Sequence, residues 1–476
     1  MSIDGFIKQI KDAFVNSDDL MVRSFTSGGL DCAIIYIDGW IDKEILDQDV
    51  LKPLIEVNVK LVPPYLDKLK STLFFPEDIM VSYELGEVCT KVASGDIALL
   101  MEGAESFFML SLRKPPMRAV AEPPTESVLR GPREGFIEDI KTNIALLRKR
   151  LRSPKLVVTM MNAGRYSNTS IAIMYIDGIA DEKIISAVKE KISRIDIDGV
   201  IDSYYVAHRL QERKFSIFDE VGTSEKPDIV ASKILEGRIA VLVDGSPVCL
   251  TVPMLLLESF QDSYDYYSSS FRSTLVRMYR LLGALFTIIM PGMYVALESF
   301  HMHLLPLKFL IVLFNATSGI PFPPAIEMLI VLLLFEILNQ ASVRMPRFMG
   351  ISLSVVGAIV LGDTAVKAGL ISSPAVLITA LSAIGIFCVP DQVQTFSILR
   401  TLFVILGAVL GLYGIIIASV GLVCYTTSIN SYGTPFLAPY APIVAPDLKD
   451  GFLKADEVDM GTRPYSFPNK NRRRAK

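Results

Sequence analysis

The chain has 476 residues, of which 51% are hydrophobic, with a mean hydropathy of +0.42 and a formal net charge of −4. This charge excludes the global basic field that nucleic-acid-binding proteins use, so we expect no nucleic-acid partner. Charged residues occur throughout residues 1–280, whereas residues 281–427 contain long apolar runs. The asymmetry predicts a soluble part followed by a membrane part.

The N-terminus and the cysteines favour a reducing compartment for the soluble part. The first residues, MSIDGFIKQIKDAF, contain no apolar signal-peptide core. The five cysteines are scattered and form no CxxC pair. We therefore expect reduced thiols, no disulfide framework and a first domain that stays in the cytoplasm.

The soluble part contains two similar blocks. AIIYIDGWIDKEIL from Ala33 resembles AIMYIDGIADEKII from Ala172, and GDIALLMEG from Gly95 resembles GRIAVLVDG from Gly237. In each block an apolar strand ends in Asp-Gly, an amphipathic helix follows, and a later strand leads into a hairpin. This repetition predicts two tandem duplicated α/β subdomains, each with a mixed sheet.

The soluble part offers little equipment for catalysis. Asp38 and Asp177 end the repeated Tyr-Ile-Asp-Gly strands, but aspartate before glycine is typical of a turn. No Ser/His/Asp set, metal-spaced His/Cys cluster, Walker loop or GxGxxG accompanies them, and His208 is the only histidine of this part. The sequence predicts no enzyme and no cofactor, although the count leaves a carboxylate- or lysine-based enzyme open.

A linker and a helix lie between the two blocks. Prolines at 115, 116, 123 and 124 enforce extended backbone. From Glu134 the apolar positions follow helical spacing, and the predicted helix ends in a basic stretch from Arg148 to Arg152. That basic end is either a solvated helix terminus or a contact with acidic headgroups or a neighbouring subunit.

Six apolar segments follow, and they predict an all-α polytopic membrane domain with five or six crossings. Pro291-Gly292 should kink or break the first helix, because proline removes a backbone donor. The last segment, from Leu402 to Cys424, has no charged residue and reads as one clear span, whose glycine stripe suits helix packing. The segments are Leu281–Ala296, Leu304–Phe314, Ala325–Leu338, Met349–Leu370, Ser373–Val389 and Leu402–Tyr425.

These features divide the chain into five parts. We expect a first soluble subdomain at 1–115, a Pro-rich linker and amphipathic helix at 116–152, a second subdomain at 153–270, a helical membrane domain at 271–430 and a cytoplasmic tail at 431–476. Basic residues before the first span and at the C-terminus put both flanks on the cytoplasmic side, which requires an even number of crossings. Arg344 and Arg347 then fit badly, because they follow the third segment.

Ionisable residues inside the apolar half are the candidate functional residues, because lipid disfavours them unless water or protein shelters them. For Asp363, a local ion pair with Lys367, four residues later on the same helix, is an equally good alternative to a pore role. Two histidines, His301 and His303, give only a weak metal signal. The candidates for a pore or a subunit interface are Glu298, Glu327, Glu336, Gln340, Arg344 and Asp363.

Several strings in this chain resemble hallmark segments of the A-subunit family of GerA-type spore germination (nutrient) receptors. They are TESVLRGPREGFIEDIKTNIALLRKRLRSPKL, SEKPDIVASKILEGRIAVLVDGSP, PGMYVALESFH, IPFPPAIEMLIVLLLFEILNQASVRMP and VVGAIVLGDTAVKAGLISSP. They occur in the family's order across about residues 125–450. The motif residues to which the resemblance assigns a structural role are Arg130, Gly131, Pro132, Glu134, Pro291, Gly292, Pro321 and Pro323.

The chain departs from the family pattern at three places. The family usually has Arg-Glu-Ala at 339–341, Gln at 363 and Thr-Glu-Arg-Pro-Asp at 224–228, where this chain has Asn-Gln-Ala, Asp and Ser-Glu-Lys-Pro-Asp. The change at 339–340 removes a charged pair, so any salt bridge that the family makes there is in doubt.

The resemblance implies a non-enzymatic role in the inner membrane of the bacterial spore. The chain would work with a permease-like B subunit and a lipoprotein C subunit, and it would oligomerise to form the ion channel that triggers germination in response to nutrients. One alternative is a channel homologue that amplifies germination without its own nutrient partner. A secondary transporter is another, and it would use a broken helix such as one at Pro291-Gly292.

Overall fold

The computed structural model describes residues 3–56, 65, 69, 79–112, 126, 131–344 and 362–474. These residues form two β-sheet subdomains, then a bundle of apolar helices, then a C-terminal segment that returns to the second subdomain. The predicted fold class, two tandem duplicated subdomains followed by a helical membrane domain, is confirmed.

The first subdomain is a five-stranded sheet with the order β1-β2-β4-β5-β3. Successive residues of β2 alternate between the two faces, so Ile34 packs under the helical stretch at 43–55 and Ile35 packs under α1 and α2. The elements are α1 (Ile3–Ala13), β1 (Leu20–Ser27), β2 (Leu30–Ile37), β3 (Ile79–Ser82), α2 (Leu85–Ala93), β4 (Ile97–Met101) and β5 (Phe107–Leu110).

The second subdomain repeats this sheet, with the order β6-β7-β9-β10-β8. Helices α4 and α5 cover one face, and α3 and α6 cover the other. The elements are α3 (Ile140–Arg150), β6 (Leu156–Ala163), β7 (Thr169–Ile176), α4 (Glu182–Ser193), α5 (Ser203–Leu210), β8 (Gly222–Ser224), α6 (Pro227–Leu235), β9 (Ile239–Val243) and β10 (Cys249–Val252).

The identical strand order confirms the duplication, but the expected mixed sheets are wrong. Every strand pair among the described residues is antiparallel. The Asp-Gly pair repeats in the two blocks because both turns need a positive φ, which is +81° at Gly39 and +77° at Gly178. Glycine reaches this region without the steric cost that a side chain carries.

The predicted linker helix begins at Ile140 and not at Glu134. The residues before it are held extended on the second subdomain, where Phe136 N donates to Glu225 O at 2.7 Å and Asn143 Oδ1 accepts from Ile137 N at 2.9 Å. Asp139 then caps the helix by accepting from Thr142 N at 2.8 Å. A fixed extended segment thus replaces the first predicted turns.

Three of the four basic residues at the end of α3 are paired with acidic side chains, whereas Arg152 is exposed. Arg148 is fully buried, and its guanidinium donates from Nε and Nη2 to the two carboxylate oxygens of Asp19, both at 2.8 Å. Lys149 and Arg150 both pair with Glu134, at 2.7 and 2.9 Å. These contacts join α3 to the first subdomain and to its own preceding segment.

Six apolar helices form the second half of the described chain. Three of them, over Ser270–Phe300, Pro324–Ser342 and Pro390–Leu410, are long and apolar enough to cross a membrane, which is consistent with a membrane protein. The helices are α7 (Ser270–Phe300), α8 (Leu307–Thr317), α9 (Pro324–Arg344), α10 (Ser373–Ile386), α11 (Val393–Leu410) and α12 (Leu412–Ser428).

Two expectations about these helices change. Of the kink or break expected at Pro291-Gly292, the break is absent, because helix α7 continues through that pair. The single span predicted from Leu402 to Cys424 is a hairpin, because α11 ends and α12 begins around Gly411, which has a φ of +62°. Gln392 and Ser428 lie beside the second subdomain, bonded to Ser259 and Arg213, while the Gly411 turn lies against His301 at the opposite end.

The course of α9 resolves the misfit of Arg344. Near its start Glu327 lies close to Glu298 at the far end of α7, and later Glu336 contacts Ser397 near the start of α11. Helix α8 has only 11 residues, about 16 Å, and Thr317 at its end is again beside Glu298. Both ends of α8 therefore lie at the end of the bundle away from the soluble subdomains. Helix α9 starts at that end and runs back toward the soluble subdomains.

This course predicts the side on which Arg344 lies. Single cysteines introduced as Arg344→Cys and Lys470→Cys, in a chain whose native cysteines are replaced, should react with a membrane-impermeant thiol reagent from the same side. His303→Cys should react from the other side. If Arg344→Cys and His303→Cys reacted from the same side instead, α8 would have to cross the membrane.

Candidate functional site

Polar side chains inside the helical bundle gather at two depths. The outer layer lies at the end of α7 away from the soluble subdomains, and the middle layer lies where α9, α10 and α11 meet. Every such group in a membrane segment needs a partner or water, since lipid supplies no hydrogen bonds. The two layers are therefore the places where the bundle can tolerate, bind or conduct charge.

The outer layer contains two buried carboxylates. Glu298 is 5% exposed and Glu327 is 2% exposed, and they lie close enough for their charges to interact. Glu327 accepts a hydrogen bond from the backbone N of Ser372, which itself caps α10. Among the described residues, Glu298 Oε2 and the Tyr294 hydroxyl have no hydrogen-bond partner.

The middle layer is built around Arg400, a cation that is 1% exposed. Glu336 lies 3.7 Å from its Nη2 and accepts from Ser397 Oγ at 2.9 Å. Arg400 Nη1 donates to Ser382 Oγ at 3.3 Å, and Ser382 in turn donates to Thr287 O at 3.0 Å. These contacts connect four helices, α7, α9, α10 and α11, through the Arg400 guanidinium.

The structure separates the predicted candidates. Glu298 and Glu327 meet in the outer layer, whereas Glu336 belongs to the middle layer and Gln340 is exposed on the same helix. Asp363 is exposed and pairs with Lys367 at 2.8 Å, which is the local ion pair considered from the sequence. Arg344 ends α9, and its side chain lies outside the described part of the chain.

The motif residues lie in different surroundings, and two of the glycines are closely packed. Gly292 lets α7 and α11 approach so closely that an added Cβ would lie 2.6 Å from Phe403 O, and Pro291 is buried beside it. Gly131 has a φ of +114° and would meet the ring of Tyr267 at 2.6 Å. Glu134 holds Lys149 and Arg150, Pro132 is half-buried, and Pro321 and Pro323 occupy the exposed turn before α9. Arg130 lies outside the described residues.

Sequence reasoning missed Arg400, a charged residue that is 1% exposed inside the bundle. The predicted last span began at Leu402, so the helical residues QTFSILR at 394–400 were not included. Extending the helix back to Val393 places Ser397 and Arg400 on one face, three residues apart, and this spacing is the signal that could have found the middle layer. The two histidines carry no metal signal, since the described residues contain no group of three or more metal-ligating side chains suited to a metal ion.

Comparisons with known proteins agree across nearly the whole chain. A family model described as Bacillus/Clostridium GerA spore germination protein matches residues 8–466. Spore germination protein KA of Bacillus subtilis (strain 168) is 33% identical over 475 residues, which covers 98% of this chain and 87% of that protein. Spore germination protein GerLA of Bacillus cereus is 30% identical over 469 residues, covering 98% and 95% of the two chains.

One solved structure also aligns with the chain. It is the crystal structure of the N-terminal domain of the A subunit of the Bacillus megaterium spore germinant receptor GerK3. The alignment covers 54% of this chain and 96% of that chain, with 28% identity and a TM-score of 0.44.

Proposed function

Since this chain belongs to the GerA spore germination protein family, we propose that it is the A-type subunit of a spore germinant receptor and forms the ion-conducting part of that receptor. Its place is the inner membrane of the bacterial spore, beside a permease-like B subunit and a lipoprotein C subunit. Several copies of the chain assemble, and nutrient sensing by the receptor opens the conducting path.

The observation that carries the conducting role is the uncovered face of α9. In the monomer, only 22% of the most apolar stretch of α9 is buried. The corresponding buried share is 50% for α7 and 39% for the helix ending at Leu410. This uncovered face includes Glu336, whose side chain is 34% exposed, and the exposed Gln340. A carboxylate and an amide are costly against lipid, so this face fits a water-filled path or a contact with another copy.

The test is cation flux through the full chain, with its partner subunits, in liposomes. Glu336→Gln should lower cation flux by about tenfold, because it leaves the buried Arg400 cation without its counter-charge, and that positive charge then repels cations at the middle layer. Asp363→Asn is the matched control and should leave flux unchanged, because it breaks an ion pair with Lys367 in which both side chains are exposed.

Cross-linking of the same samples separates the two possible roles of the α9 face. Reduced flux with the oligomer intact supports a pathway residue, whereas loss of the oligomer assigns Glu336 to a subunit contact. Unchanged flux in Glu336→Gln would show that Glu336 is not part of the conducting path. The proposal would then lose the observation that supports it.

Two alternatives make different predictions. An amplifying channel homologue would be encoded without neighbouring permease-like and lipoprotein genes, and it would conduct without them. A secondary transporter needs a substrate site at a broken helix. The break it would use at Pro291-Gly292 is absent, since α7 is continuous there.

A further inference from the structure

A cavity of about 250 Å³ lies where the second subdomain, the base of the helical bundle and the C-terminal segment meet. Its described lining includes Lys233 of α6, Asp391 and Gln392 before α11, and Asp450 of the C-terminal segment. A second cavity of about 500 Å³ shares Glu126, Asp262 and Asp391 with it. The space is larger than one ion needs.

The lining is strongly acidic, with ten acidic and four basic residues among the described ones. The two basic residues from the second subdomain already have partners. Lys233 Nζ lies 2.9 Å from Glu258 Oε2, and Arg238 pairs with both Glu258 and Glu236. Burial opposes ionisation of Glu258, but Arg238 and Lys233 hold its pKa below the usual range. Lys233 and Arg238 therefore form no ion pair with three other carboxylates of the lining, Glu126, Asp219 and Asp391.

Two of those carboxylates, Asp219 and Asp391, are exposed to the cavity. Neither makes an ion pair or a side-chain hydrogen bond with any described residue. Glu126 accepts from Ser224 Oγ at 2.9 Å and from Glu225 N at 3.1 Å, but it has no cationic partner at bonding distance among the described residues. Burial raises the pKa of Glu126 to about 7, and the nearby charge of Asp391 acts in the same direction. Positive charge brought into the cavity would relieve this repulsion.

Unused acceptors in the wall point independently to a ligand. Gln392 is 1% exposed, and its Nε2 donates to Ser259 Oγ at 3.1 Å, yet its Oε1 has no partner among the described residues. The Asp228 side chain is 9% exposed. Its Oδ2 accepts from the Tyr267 hydroxyl at 3.1 Å and lies 3.6 Å from Lys226 Nζ, while Oδ1 has no such partner. Buried acceptors are normally satisfied, so this wall lacks N–H or O–H donors.

The lining selects the chemical class of the ligand. The described residues contain no group of three or more metal-ligating side chains suited to a metal ion. Ammonium groups supply both the missing positive charge and several N–H donors each. We propose that this junction cavity binds a small aliphatic di- or polyamine, whose charged ends occupy the acidic wall formed by Asp219, Asp391 and the Gln392 amide oxygen.

Such a ligand would contact all three parts of the molecule that meet at the junction. Because it binds only where these parts are assembled, it stabilises their present arrangement by mass action. This effect does not depend on whether the helical bundle conducts ions.

The test is thermal unfolding of the full chain in detergent micelles, with putrescine and spermidine as probes and ionic strength held constant with NaCl. A saturable rise in Tm is expected with either amine, and no rise with 1,4-butanediol, which has the length of putrescine without its charges. Asp219→Asn and Asp391→Asn should each weaken the apparent affinity by about tenfold, as the loss of one charge-assisted hydrogen bond predicts. Neither substitution removes a bond from the described structure, so both variants should fold.

Asp12→Asn is the matched control, because it removes an exposed charge from α1, away from the cavity. It should leave the amine response unchanged. The proposal is overturned if neither amine produces a saturable shift, if MgCl₂ at equal ionic strength produces the same shift, or if the Asp219→Asn/Asp391→Asn double variant binds as tightly as the parent chain.

Discussion

Replacing Asp19 with asparagine is expected to lower the free energy of unfolding by about 3 kcal/mol, because it leaves a fully buried guanidinium without its counter-ion. The Arg148 side chain is 0% exposed and that of Asp19 is 6% exposed. Ser17 Oγ and the backbone O of Ser153 also accept from Arg148, but neither supplies a negative charge. The loss should appear as separation of the two subdomains before either sheet unfolds.

Chemical unfolding of the full chain, followed by the fluorescence of Trp40, measures this effect well. Trp40 is the only tryptophan, it is 3% exposed, and its Nε1 donates to Ala145 O on α3 at 3.2 Å. Asp196→Asn is the control, since it breaks the exposed pair with Arg165 and should leave the unfolding midpoint unchanged. Equal effects of the two variants would show that burial of the Arg148–Asp19 pair contributes nothing to stability.

Replacing Gly407 with valine is expected to destabilise the helical bundle by about 3 kcal/mol or more, since it overpacks a contact between two backbones. An added Cβ at Gly407 would lie 2.5 Å from Gly292 O and 3.2 Å from Gly292 C. Neither atom belongs to a flexible side chain, so α7 and α11 must separate. Size-exclusion chromatography in detergent and a thermal melt should show aggregation and a lower Tm.

The same helical hairpin provides a matched control. Gly421→Val adds the same side chain to α12 at a position where nothing lies within 4 Å of the added Cβ. This variant should behave like the parent chain. Comparable loss of folded protein in both variants would mean that valine is poorly tolerated anywhere in these helices, and that the close approach of α7 and α11 is not the cause.

The duplication was predictable because its signal is local. Strand alternation and the Asp-Gly turns repeat within each block, and the structure confirms two sheets of the same strand order. The pairing direction was not predictable from those blocks alone. Helices α2 and α6 do connect strands that run in the same direction, β3 to β4 and β8 to β9, but another strand, β5 or β10, lies between them and pairs antiparallel with both.

The hairpin at Gly411 was missed for a physical reason. Only one residue separates α11 from α12, and its neighbours, Leu410 and Leu412, are apolar. Turn prediction depends on proline, asparagine or charged residues, none of which is present there. A glycine with positive φ reverses the chain while hydropathy continues uninterrupted, so the run looked like one span with a packing stripe.

The polar layers show what sequence can and cannot identify. Hydropathy singled out Glu298, Glu327 and Glu336 because charges within apolar runs are conspicuous. It could not assign their partners, since Ser372, Ser397 and Arg400 lie in other parts of the bundle. The same limit applies to Arg148 and Asp19, which are 129 residues apart in sequence and directly bonded in space.

The return of the C-terminal segment to the second subdomain matters for anyone who wishes to attach a reporter. Lys470 N donates to Ile179 O at 3.0 Å, Asn469 forms a β-bridge with Ala180, and Arg463 Nε donates to Leu235 O at 2.7 Å. Arg277 of α7 also binds Asp450 at 2.9 Å. A dye placed on residues 463–470 would therefore rotate with the second subdomain and α7, and its anisotropy would report their motion.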